Sequence, residues 1–464
     1  LLNDRWQYKE DATMTRKLLW TLPGIAVLVI IVALVLALWP TTTRTIAVTT
    51  DSNSPPLVDK GRYLAQAGDC VACHTSPGGI PFTGGLPLAS PIGLIYSTNI
   101  TPDHNSGIGT YTLADFDRAV RHGIRKDSAS LYPAMPYPSY AHMSDDDVRA
   151  LYAFFMHGVA PAPSQPHSRG IPWPLSMRWP MTLWRKAFAP LPEAVAFDPS
   201  SYPDMTIARG AYLVQGLGHC GSCHTPRATT MQEKALDASS PDYLAGGPLI
   251  DGWVAVNLRG NSADGLGAWS VADIVATLRS ARNMSRAVVG GAMNEAVVHS
   301  TQHLSEDDLN AIAAFLKTLS PSAHSPSSFN ADPATAKALW QGVNATRGAE
   351  LYVDNCAACH RSDGMGYAQA FPRLAGNSSV LASDPSSVIR LILDGSRLPA
   401  TRVAPSELAM PGFGWRLSDD EVAQLATFTR QSWGNQASRV QAAQVGTIRG
   451  AIQRERAAQA MPVR

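Results

Sequence analysis

The chain carries little net charge and little charge of any kind. Lys and Arg total 38 against 37 Asp and Glu, and charged residues make up 16% of the chain, where about 25% is usual. With no basic surplus there is no field to hold a polyphosphate, so no nucleic-acid partner is expected. The same shortage beside a 45% apolar content rules out a disordered chain and a highly charged coiled coil. No phosphate-binding glycine loop, dinucleotide fingerprint or Ser/His/Asp set stands out. Cysteine is scarce as well, at six in 464 residues. What is plentiful is turn material: 36 Gly and 34 Pro imply many turns and long connections, and the length suggests roughly three domains.

The six cysteines form three pairs of one kind: Cys70-Val71-Ala72-Cys73-His74, Cys220-Gly221-Ser222-Cys223-His224 and Cys356-Ala357-Ala358-Cys359-His360. C-x-x-C-H is the attachment signal for c-type haem. Two thiols one helical turn apart add to the two vinyl groups of a haem, and the adjoining His becomes the proximal iron ligand. A zinc site would need two more ligands per pair, and neither a redox dithiol nor a structural disulfide requires the His. Three covalently bound haems c are therefore expected.

Covalent haem is attached outside the cytoplasm, so the chain needs a route out. Leu18 to Trp39 is an uncharged, almost wholly apolar run, close to the ~20 residues that span a bilayer. Arg16 and Lys17 precede it and would stay cytoplasmic. A retained transmembrane anchor over 18–39 is expected, although Val35-Leu36-Ala37 also offers a signal-peptide cleavage site. Trp20 and Trp39 suit the two membrane interfaces. The chain does not begin with Met, and Met14 is a candidate start that would leave residues 1–13 outside the mature protein.

Each pair sits in similar surroundings. Gly61-Arg62-Tyr63-Leu64, Gly210-Ala211-Tyr212-Leu213 and Gly348-Ala349-Glu350-Leu351 precede the three pairs and read as short helices. Thr112 to Gly123, Ser270 toward Asn283 and Ser386 to Gly395 read as middle helices. Ser144, Ser305 and Ser418 each start a closing helix as N-caps, with Asp147, Asp308 and Glu421 placed to complete capping boxes. Apolar residues follow at helical spacing, as in Val148, Leu151, Phe155, and their aromatics suit a core in which the closing helix packs on the first. Three all-α domains follow, over 57–160, 200–320 and 340–435. The Pro-rich linker at 161–199 holds Trp173, Trp179 and Trp184 and should pack across the domains, since large aromatics rarely stay exposed. The basic tail at 436–464 reads as a frayed, solvated end; Val440, Ile448 and Ile452 nevertheless share a helical face, which leaves a docking helix as the alternative.

An iron that transfers electrons needs a sixth ligand, and Met is the usual choice. The loop before each closing helix offers one: Met135 in Ala134-Met135-Pro136, Met293 in Gly291-Ala292-Met293, and Met410 in Ala409-Met410-Pro411. Met284 is a rival to Met293 that spacing does not exclude; the pliable Gly290-Gly291 favours Met293.

Ser97-Thr98-Asn99-Ile100-Thr101-Pro102-Asp103 with Gly107-Ile108-Gly109, the stretch from Gly216 to Arg227 around the second pair, and His299-Ser-Thr-Gln-His-Leu304 resemble the cytochrome c subunits of bacterial membrane-bound dehydrogenases. The likeness covers about 57–435. It implies tandem cytochrome c-like domains, His74/Met135, His224/Met293 and His360/Met410 as axial pairs, and Cys70, Cys73, Cys220, Cys223, Cys356 and Cys359 as attachment points. In small cytochromes c a proline carbonyl about a dozen residues on often holds the proximal His, and Pro372 fits for His360. The resemblance further implies a non-catalytic electron-transfer subunit in the inner membrane with its haems in the periplasm. It would take electrons from a catalytic alcohol, gluconate or sorbitol dehydrogenase subunit and deliver them to ubiquinone. The alternatives are the cytochrome subunit of a molybdenum-containing aldehyde dehydrogenase, a terminal-oxidase subunit, and a self-contained multihaem enzyme with an open iron position.

Overall fold

The computed structural model of the chain describes residues 53–165, 170–323 and 329–460, with 27–28, 31–37, 39 and 46. The anchor expected at 18–39 thus lies in large part outside the described residues. Residues 31–37 are helical, with Ile31 and Leu36 exposed. Among the described residues no helix is long and apolar enough to cross a membrane.

The first repeat contains helices α1 (Pro55–Ala67), α2 (Cys70–Cys73), α3 (Leu113–His122), α4 (Tyr137–Tyr140) and α5 (Asp145–Ala153), with strands β1 (Pro87–Ser90) and β2 (Gly93–Tyr96). Helix α6 (Trp179–Phe188) follows in the connection. The second repeat contains α7 (Met205–Tyr212), α8 (Gly221–His224), β3 (Leu249–Ile250), β4 (Trp253–Val254), α9 (Val271–Ser280), β5 (Arg282–Asn283), β6 (Ala287–Val288), α10 (Ala292–His299) and α11 (Glu306–Thr318). The third contains α12 (Ala334–Trp340), α13 (Arg347–Asn355), α14 (Ala357–His360), α15 (Ser378–Leu381), α16 (Ser386–Asp394), β7 (Ser396–Leu398), β8 (Leu408–Met410), α17 (Asp419–Gln431) and α18 (Ala442–Ala460). The all-α expectation is refined: the chain is mostly helical, and each strand pairs antiparallel with its neighbour in a two-stranded ladder.

The first and closing helices cross in every repeat: α1 on α5, α7 on α11, α13 on α17. Glycine makes each crossing close. A Cβ on Gly61 would fall 1.9 Å from the Ala150 carbonyl oxygen, on Gly210 1.9 Å from that of Ala311, and on Gly348 2.6 Å from that of Gln424. Phe154, Phe315 and Phe428, one turn further along the closing helix, lie over the same glycines. The buried apolar residues form two clusters. Leu64, Val148 and Phe155 share one with Leu213, Leu309 and Phe315; Leu351, Val422 and Leu425 belong to the other.

The closing-helix caps differ from expectation. Ser418 and Glu421 complete their capping box. At Ser144 and Ser305 the serine accepts from the N3 amide, but the N3 carboxylate turns away. Tyr212 of the second repeat accepts from the Ser144 N–H at 3.0 Å and donates to Asp147 Oδ2 at 2.5 Å. Tyr63 of the first does the same for Ser305 N–H at 3.1 Å and Asp308 Oδ2 at 2.6 Å. The length of Asp is not the reason, because Asp115 and Asp273 close full boxes on α3 and α9. A tyrosine hydroxyl from the opposite repeat has entered each box.

The connection and the tail are both more ordered than their composition suggests. Helix α6 spans the first two repeats: Trp184 Nε1 donates to the Thr230 carbonyl at 2.8 Å while its ring meets Tyr137 edge-on at 6.5 Å, and Arg178 lies 3.9 Å over the Tyr132 ring. Trp173 does not pack and is 80% exposed. The frayed-tail expectation is overturned. Helix α18 packs on α16 and α17 and buries Val445 and Ile452. Arg449 Nε holds Asp419 at 2.7 Å, and Arg390 and Arg456 reach Glu455 and Asp394. The apolar stripe that the sequence offered as an alternative finds its partner within the chain.

Candidate haem sites

Each cysteine pair lies on a single helical turn. The amide of His74 donates to the Cys70 carbonyl at 3.0 Å, that of His224 to Cys220 at 2.9 Å and that of His360 to Cys356 at 2.8 Å. One i→i−4 bond therefore sets two thiols a turn apart and the His beside them, the arrangement that addition to two vinyl groups requires. Entry into the first two turns uses unusual backbone: Asp69 and His219 adopt φ of 53° and 38°. None of the six cysteines pairs with another in a disulfide. Burial pushes the thiols of Cys70, Cys220 and Cys356 up to about 12 and those of Cys73 and Cys223 to about 11.

The three histidines share a second feature. His74 Nδ1 lies 2.7 Å from the Thr98 carbonyl, His224 Nδ1 2.7 Å from that of Val256, and His360 Nδ1 2.9 Å from that of Pro372. A carbonyl only accepts, so each Nδ1 carries the hydrogen and each Nε2 keeps a lone pair for iron. Burial lowers all three imidazole pKa values, against the opposing pull of the carbonyls, and favours the neutral ligand form. Pro372 sits where the sequence suggested. Thr98 and Val256 carried no signal of their own. Each directly precedes an asparagine, Asn99 or Asn257, whose Oδ1 accepts the amide two residues on, at 2.8 and 2.9 Å. That shared turn is the mark by which they could have been found.

Met135, Met293 and Met410 are half-buried. Each lies between a middle helix and a closing helix. After α3 the chain makes the bridge Ile124–Ser130 and then reaches Met135; after α9 it makes the β5–β6 ladder and then reaches Met293 on the first turn of α10; after α16 it makes the β7–β8 ladder, whose last residue is Met410. Met284 lies inside the β5–β6 turn, buried, with its carbonyl accepting the Arg373 amide at 3.0 Å. Gly290 and Gly291 also meet a packing demand. The Trp253 indole lies against both, and a Cβ on Gly291 would stand 2.2 Å from it.

The donor set suits a covalently held macrocycle. Each site supplies two thiols on one turn and a single lone-pair nitrogen, and among the described residues no group of three His, Cys, Asp or Glu is placed to hold a bare metal ion. When bound, haem supplies one-electron chemistry at iron; the cysteine pairs would anchor it, and the carbonyl beside each Nδ1 would fix the ring of the adjoining His.

These features define a c-type cytochrome, a protein with covalently bound haem c that transfers electrons. The cytochrome c family model matches residues 207–320 and 345–433. The gluconate 2-dehydrogenase cytochrome c subunit of Pantoea cypripedii is 53% identical over 87% of this chain and 92% of its own length. The cytochrome c subunit of alcohol dehydrogenase (quinone) from Gluconacetobacter polyoxogenes is 52% identical over 87% of this chain and 86% of its own. The fructose dehydrogenase cytochrome subunit of Gluconobacter japonicus is 37% identical over 85% and 83%. The chain belongs to the family of dehydrogenase cytochrome c subunits.

Proposed function

We propose that this chain carries electrons through three covalently attached haems, from a separate catalytic subunit that oxidises an alcohol, sugar or sugar acid, to ubiquinone in the inner membrane. In this reading the haems lie in the periplasm and the apolar segment at 18–39 is the anchor. The carrying observation is the threefold recurrence of a Cys-pair turn with a His whose Nδ1 is held by a carbonyl. Met135, Met293 and Met410 are the proposed sixth ligands. Their common place after the middle-helix bridge or ladder supports them, and it separates Met293 from Met284.

Redox titration of the haem-loaded chain tests this. Three haems per chain are expected. Met135→Ala, Met293→Ala and Met410→Ala should each lower one potential and abolish one Met–iron absorption band, because thioether ligation raises the potential. Met284→Ala should leave the bands intact. A fall caused by Met284→Ala and not by Met293→Ala would reverse the assignment. Mass identification of the proteins that travel with the gently extracted native complex tests the partner: a quinoprotein or flavoprotein dehydrogenase supports the reading, and a molybdenum hydroxylase would change the substrate class.

A further inference from the structure

The attachment segments of the first and second repeats touch. His219, the residue before Cys220, turns back with φ 38° and brings its Nε2 to 3.3 Å from the Gly68 carbonyl oxygen, two residues before Cys70. Its ring rests edge-on against Tyr140 at 5.8 Å, and the Tyr140 hydroxyl donates to the same carbonyl at 3.2 Å. Close by, Ser300 at the end of α10 donates to the Ala67 carbonyl at 3.2 Å, and α10 itself packs on α2. The helix bearing Met293 therefore rests on the turn bearing Cys70 and Cys73. Among the described residues the third repeat shows no such join: the residue before Cys356 is Asn355, whose Nδ2 donates to Leu351 of its own helix at 2.8 Å.

We propose that His219 is the bridging residue for electron exchange between the first and second haem sites. The route runs from Cys220 through the adjoining peptide and imidazole of His219, across the hydrogen bond to Gly68, and along Asp69 to Cys70. A hydrogen bond holds donor and acceptor atoms closer than van der Waals packing does, so this contact gives a connected path between the two attachment turns. One electron leaves the reduced site and enters the oxidised one. No proton is transferred, because Nε2 keeps its hydrogen throughout. The inference rests on the proposal that both sites carry haem.

Laser-flash reduction of the full haem-loaded chain follows one electron as it redistributes between these two sites. Haem content and redox titration are read on the same samples. His219→Phe keeps a ring against Tyr140 and removes the donor; redistribution should slow while both potentials hold. His219→Gln, which restores an N–H donor, should recover part of the rate. Tyr140→Phe, which removes the hydroxyl reaching Gly68 from within the first repeat, should slow it less than His219→Phe. An undiminished rate in His219→Phe, a slowing accompanied by a shifted potential, or an equal slowing in Tyr140→Phe overturns the bridge. Absence of haem from either site in the parent chain overturns the haem reading instead.

Discussion

The first two repeats and the third use the same helix crossing and meet their surroundings in different ways. Between the first two, Tyr63 and Tyr212 exchange places across a pseudo-twofold relation, each entering the capping box of the other repeat's closing helix. In the third repeat Glu350 stands in the place of the tyrosines and Glu421 in that of Asp147 and Asp308. Glu421 closes its own box, and Arg347 holds both carboxylates at 3.1 and 2.7 Å on the surface. A phenol can bury its ring in an interface and still satisfy an N–H and a carboxylate; a second carboxylate cannot. The first two repeats accordingly share one core. The third keeps its own and covers it with α18. It meets the second through polar contacts such as Val254 N–H to Ser387 Oγ at 2.8 Å and Arg282 to the carbonyls of Pro399 and Ser406 at 2.9 and 2.8 Å.

The largest test of that contrast is at the helix crossings. Gly61→Ala and Gly210→Ala place a methyl group 1.9 Å from a backbone carbonyl, where Gly348→Ala leaves 2.6 Å. Overpacking costs about 1–3 kcal/mol and sometimes more. The first two variants should lose about 3 kcal/mol or more by thermal unfolding and Gly348→Ala distinctly less. Equal losses would show that the third crossing is as tight as the others.

A smaller effect is expected at the exchanged tyrosines. Tyr212→Phe strips Asp147 of a donor and Ser144 of an acceptor in a buried interface, which should cost about 1–3 kcal/mol in denaturant unfolding. Tyr63→Phe, at a half-exposed position, should cost less. Glu350→Gln should stay within about 1 kcal/mol, as for an exposed ion pair. If Glu350→Gln cost as much as Tyr212→Phe, the distinction between the repeats would fail.

The smallest is a response to acid. Burial opposes ionisation of Asp308, but hydrogen bonds from Arg209 and Tyr63 prevail and hold its carboxyl below the ordinary range. A folded-state pKa below the unfolded one gives stability that is present above the unfolded value, near 4, and is lost as pH falls through the folded value. The hydrogen bonds from Arg347 and Ser418 lower Glu421 in the same direction, but within an ion pair at the surface. Acid unfolding followed at low and high salt should therefore keep the Asp308 contribution and lose that of Glu421. Equal salt sensitivity in Asp308→Asn and Glu421→Gln would remove the difference.

The chemistry was legible in local sequence because haem attachment is a local demand: two thiols and an imidazole must fall on one helical turn, and a pentapeptide satisfies it. Pro372 was legible for a similar reason, lying a short loop away from its His. The three serine caps could be read as well, since an N-cap needs only its own helix. Thr98 and Val256 carry no signal of their own, because a backbone carbonyl acts whatever its side chain; only the following Asn99 or Asn257 marks the turn that brings each to its histidine. The tail was misjudged because a single apolar stripe among arginines fits both a solvated end and a packed helix. Only the cover it provides for the third core distinguishes them.

The sequence by itself determined where the three Cys-x-x-Cys-His turns form, which histidine stands beside each pair and which segments become first and closing helices, since each depends on residues within a few turns of one another. The tertiary structure decided which carbonyl holds each histidine, that Tyr63 and Tyr212 serve the opposite repeat, that His219 reaches Gly68 and that α18 belongs to the third core. Those contacts join residues far apart in the chain, and their free energy arises only when burial removes the competing water.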